Sequence, residues 1–113
     1  MPQYVLFLHE DPTGLDDLPP DEVGSIIQRY IDWMHRLQRD GRFVGGEKLR
    51  PARSRVRRVE EKLVTDGPYV EAKEIVGGYF IITANSHEDA VRQTHDSPHY
   101  DYGWIEVREV EPT

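Results

Sequence analysis

A chain of 113 residues, 37% hydrophobic and 31% charged with a mean hydropathy of −0.68, predicts one soluble domain built around a single core. The absence of cysteine excludes disulfides, thiolate nucleophiles and thiolate metal sites. A formal charge of −7 opposes nonspecific attraction to nucleic acid or anionic lipid.

No apolar run approaches the ~20 residues a membrane helix needs. The first ten residues, MPQYVLFLHE, lack a basic leader and reach an acid too soon for a signal peptide, so the expected location is cytoplasmic. Residues 3–9 are aromatic and aliphatic at both parities and too few for an ordinary helix, which predicts a strand covered on both faces. Residues 10–18, with Asp11-Pro12-Thr13-Gly14 and Asp16-Asp17, have loop chemistry.

Pro19-Pro20 opens a helix whose first turn holds Asp21 and Glu22, where the dipole favours acids. Val23, Ile27, Tyr30, Met34 and Leu37 follow the helical period, flanked by Ile26, Ile31 and Trp33. Ser25, Gln28, Arg29, Asp32 and Arg36 point the other way, and Gly41 ends the element. Residues 42–49 read as a second strand in which Gly45-Gly46 predicts a bulge or a close backbone approach. Residues 55–60 and 63–65 read as the arms of a small, solvated hairpin.

Residues 79–84 form the third main strand. Ser86-His87-Glu88-Asp89 matches the start signal of a short helix, with Ala90, Val91 and Thr94 inward, that stops before Pro98. The last strand is expected over residues 104–110.

This order predicts an α+β fold: a ferredoxin-like antiparallel sheet with strands one and three central, two helices on one face and a β-hairpin insertion. The uncovered face would expose roughly six apolar side chains at ~1.5 kcal/mol or more each, comparable to the stability of a small domain. A second copy is the economical cover, so the expectation is a homodimer forming a dimeric α+β barrel.

The same topology gathers the end of strand one, the end of strand two, residues 66–74 and residues 98–102 at one rim, the predicted site. There His9 is the expected proton carrier, because imidazole titrates near neutral pH, with Asp66 and Glu71 as its orienting or opposing acids. Tyr69, Lys73 and Glu47 are expected to line the substrate pocket. Asp66-Gly67-Pro68 equally fits a simple turn. His95 and His99 have the i, i+4 spacing of a metal pair, but Pro98 interrupts the helix that would align them, and no metal site is predicted. The five arginines between positions 50 and 58 are expected to pair with Glu60, Glu61 or a partner subunit rather than with nucleic acid. Trp33, Trp104 and the tyrosines are core and interface material. No phosphate-binding or nucleophile-elbow motif is present, and no cofactor is expected.

The run VTDGPYVEAKE (64–74), Gly78-Tyr79 and the strand after it, Gly45-Gly46-Glu47 and Ile105-Glu106-Val107-Arg108 resemble the YCII-related family, in its DGPF-domain branch. Tyr69 stands where the branch name has phenylalanine. The resemblance covers nearly the whole chain, 1–113 as a single domain, and implies a dimeric α+β barrel. It also implies association of some members with extracytoplasmic-function sigma factors, and a His and an Asp at the site of other members; the position matching that helical His is Tyr30. The leading expectation is cofactor-independent acid/base chemistry on, or binding of, a small organic molecule in a pocket of a homodimer. The alternative is a non-catalytic regulatory or binding module acting with a sigma factor.

Overall fold

The computed structural model describes residues 1–11, 18–66 and 75–113. Its elements are β1 (Gln3–Glu10), α1 (Pro20–Arg39), β2 (Phe43–Lys48), β3 (Arg55–Val59), β4 (Lys62–Asp66), β5 (Ile75–Thr83), α2 (His87–Arg92), a 3-10 turn (Pro98–Asp101) and β6 (Gly103–Glu109). Among the described residues, one antiparallel sheet has the order β2-β5-β1-β6, and β3 pairs with β4 as a separate hairpin. This is the ferredoxin-like arrangement, with the two most apolar strands in the centre.

Both helices pack on one face of the sheet, where Tyr4, Leu6 and Leu8 of β1 meet Ile82, Trp33 and Leu37. Trp33 stacks on Phe80 at 4.7 Å and donates its indole N–H to the Gln93 carbonyl, so the largest core side chain leaves no polar atom unpaired. The buried seam of α1 is Ile26, Trp33 and Leu37. It lies to one side of the stripe predicted from the period: Ile27 is exposed, and Val23, Ile31 and Met34 are half-buried along a cavity. Arg36 is not a free surface residue. Its guanidinium lies between α1 and the segment after α2, donating to the Asp96 carboxylate and the Gln93 carbonyl.

α2 starts as its sequence signal predicts, with Ser86 Oγ accepting from the Asp89 N–H at 3.1 Å. Ala90 and Thr94 are buried; Val91 faces solvent, and the inward position is taken by Asp89. That carboxylate accepts from the Asn85 N–H at 2.8 Å and from Arg42 at 2.7 Å, and these bonds hold it well below the usual carboxylate range.

Two bulges interrupt the sheet, the second of them at its site end. One falls in β2 between Phe43 and Gly45, as the glycine pair predicts. The other is in β5, which begins at Ile75 rather than at 79 and carries Gly77 as its extra residue opposite Leu8 and His9. Residues 12–17 of the loop expected over 10–18 and the Gly67-Pro68 turn lie outside the described residues, as do Tyr69, Glu71 and Lys73. Among the described residues, no helix is long and apolar enough to cross a membrane.

Candidate functional site

β1 alternates regularly through the rim, so Leu8 and Glu10 face the helices while His9 faces the opposite side. The bulge makes room for Glu10: a Cβ at Gly77 would sit 1.4 Å from its carboxylate oxygen. Glu10, Lys48, Gly46, Gly77 and Gly78 therefore form the sheet end of a cavity of about 280 Å³ closed from above by α1. The walls are mostly apolar, from Leu8, Phe80, Ile27, Ile31 and Met34. At that volume it takes a small organic molecule.

The polar end of this cavity is a short hydrogen-bonded line. His99 is 1% exposed, held by the 3-10 turn whose Ser97 hydroxyl caps its N–H. Its Nε2 lies 2.7 Å from the His9 carbonyl oxygen, which can only accept, so Nε2 carries the ring proton. Burial pushes the His99 pKa down, which keeps the ring neutral near pH 7 and leaves Nδ1 as an acceptor. The Tyr30 hydroxyl donates to that Nδ1 at 2.8 Å. Burial and the nearby Glu10 charge push the Tyr30 pKa upward, so it stays a phenol across the physiological range. With its proton committed to His99, the Tyr30 oxygen offers its lone pairs to the cavity. Lys48 Nζ stands 4.0 Å from the half-buried Glu10 carboxylate, where a ligand's polar group can compete for either charge.

The residues expected from sequence divide between two places. The His9 side chain lies on the open face of the sheet: its ring stacks on Trp104 at 3.9 Å, and its Nε2 lies 3.0 Å from Glu106 Oε1. The carboxylate that meets it is thus Glu106. Asp66, expected in that role, instead lies 3.1 Å from Arg57 Nε and 3.7 Å from Arg55 on the hairpin, the shorter an ion pair without hydrogen-bond alignment. Glu47 borders the cavity, and its register opposite Tyr79 places its side chain toward the open face. Glu71, Tyr69 and Lys73 lie outside the described residues.

His99, Glu10 and Tyr30 were within the rim or on the apolar stripe, but sequence spacing did not single them out for proton transfer. The available signal was topological: Tyr30 lies on the sheet-facing side of α1, and residues 98–102 return to the end of β1. His95 and His99 part company after α2. The first is exposed beside Asp96 and the second buried in the cavity wall. Among the described residues, no group of three or more His, Asp or Glu side chains is placed to hold a metal ion.

No curated protein matches the chain. The family model of the YCII-related domain matches residues 2–113, nearly the whole length. The chain belongs to the YCII-related family.

Proposed function

We propose that the protein binds a small organic molecule in the cavity beneath α1 and moves a proton on it without a cofactor. The observation that carries this reading is the line from Tyr30 through His99 to the His9 carbonyl, ending in an apolar cavity. A bound C–H, O–H or N–H acid gives its proton to the Tyr30 oxygen while the Tyr30 proton passes to His99 Nδ1. This leaves a substrate anion and an imidazolium, whose charge Glu10 offsets. Return of the proton to the same or a neighbouring atom restores the starting state, so the cycle is an exchange or an isomerisation and consumes no oxidant or reductant.

The test is a screen of small carbon acids for deuterium uptake from D2O, read by NMR, with Tyr30→Phe as control. Tyr30→Phe keeps the ring but removes the relay, so exchange should fall by at least about 10²-fold, the usual contribution of general acid–base catalysis. Exchange that is equal in both proteins overturns the relay. Ligand binding without exchange in either protein supports a non-catalytic binding module instead.

The contact of His9 with Glu106 and Trp104 favours a second reading, with His9 as the proton carrier on the open face. His9→Ala separates the two, since it removes that imidazole while retaining the backbone carbonyl that anchors His99.

The homodimer belongs to the same proposal. Val5, Phe7, Val76, Tyr79, Ile81 and Trp104 share the face that carries no helix, and none is fully buried. Covering them with a second copy removes apolar surface from water at about 25 cal/mol per Å². Sedimentation at micromolar concentration should give the dimer mass; a monomer sinks this part.

A further inference from the structure

Among the described residues, the β3–β4 hairpin is a second exposed surface, distinct from the cavity and the open sheet face. Every residue of β3 is exposed, and Leu63 of β4 is 71% exposed. A lone two-stranded hairpin is marginal in water, and here Val56, Val59 and Leu63 present apolar surface to solvent on both sides of it. The arm is also of opposite charge to the rest of the chain. Residues 50–66 hold six basic and three acidic side chains, a net of +3, so the remaining residues carry −10 of the total −7.

We propose that the hairpin is a clasp: in the homodimer each copy's β3–β4 arm lies against the acidic body of the other copy, at the border of the open sheet face. The charge difference points to this occupant. A body at −10 repels phosphate and attracts a +3 arm, and two-fold symmetry lets both arms dock at once. The exposed valines and leucine supply the apolar contact that a purely electrostatic arm would lack.

The inference rests on the homodimer, and its test separates the two. Leu63→Cys introduces the only thiol of the chain. Its maleimide labelling, followed from dimer concentrations down to dilution into monomer, should be at least about tenfold slower in the dimer. Arg58→Glu should raise the dimer Kd about tenfold at low salt and flatten its salt dependence, because exposed charges act within a Debye length of ~10 Å at 0.1 M salt. A wild-type monomer overturns both the dimer and the clasp. A dimer whose Kd ignores Arg58→Glu, and in which Leu63→Cys labels at the monomer rate, overturns the clasp alone. DNA binding that Arg58→Glu abolishes, with dimerisation unchanged, also overturns it and identifies nucleic acid as the arm's partner.

Discussion

The two faces of the sheet each hold a histidine, joined back to back through β1, and they differ in everything that decides chemistry. On the helix side the ring of His99 is sealed, neutral and fixed in one tautomer by the His9 carbonyl, with Tyr30 between it and an apolar cavity. On the open side the ring of His9 is partly solvated, stacked on an exposed indole and beside a carboxylate that is 40% exposed. The lesson is that an imidazole becomes a controlled proton acceptor when burial and an acceptor-only partner fix which nitrogen carries the proton. A His–Glu contact in water supplies orientation but little of that control.

The largest break in this comparison should come from the core beneath the cavity. Leu6, fully buried on the helix side, should lose about 3 kcal/mol of stability as Leu6→Ala. Phe7→Ala, one position away on the open face, should weaken the proposed dimer and leave a protein whose urea midpoint no longer depends on protein concentration, whereas Leu6→Ala should keep the concentration dependence of a dimer. Urea unfolding at two concentrations reads both. Equal concentration dependence would erase the distinction between the faces.

Next is the backbone that couples the two histidines. A Cβ at Gly103 would lie 1.9 Å from the His9 carbonyl oxygen, a backbone atom that cannot swing aside. Gly103→Ala should therefore displace the acceptor of His99 and destabilise the fold by about 2 kcal/mol, the scale of overpacking a tight site. Loss of the slow-exchanging His99 ring N–H signal in NMR reports the displacement directly.

The pH dependence follows from the buried ring. Because the His99 pKa is lowered in the fold, the unfolded chain takes up the proton first as pH falls. Stability from this group is fully present above the ordinary histidine value of about 6.5 and is lost as pH falls from there to the folded pKa. Proton-transfer activity has the same sign, rising with pH through that lowered value and flat above it. His99→Gln should abolish this pH step in urea titrations; a step that persists assigns it elsewhere.

The smallest expected stability effect is at Tyr30. Tyr30→Phe removes one hydrogen bond and leaves His99 Nδ1 without its donor, about 1 kcal/mol, while activity falls far more. The ratio of those two losses separates a reacting hydroxyl from a structural one.

Much of the fold was legible from local pattern. The apolar runs at both parities marked β1 and β5 as central strands, Pro19-Pro20 and Ser86 marked helix starts, and Gly45-Gly46 marked the bulge of β2 but nothing marked that of β5. Those signals depend only on neighbours in the chain. The rim was legible as well, because antiparallel pairing fixes which strand ends meet. The orientation of His9 was not: it depends on the parity at which β1 reaches the rim. Asp66 was expected beside His9, but it ends a hairpin strand whose arginines are nearer partners than any residue of the sheet.

The sequence by itself determined the order of elements, the central strands, the one-sided helical cover and a rim rich in titratable groups, because periodicity and turn chemistry are local properties. Only the tertiary structure decided which histidine is buried and which is open. Burial, tautomer and pKa arise from atoms brought together from distant positions, here a tyrosine on α1, a turn after α2 and a carbonyl on β1.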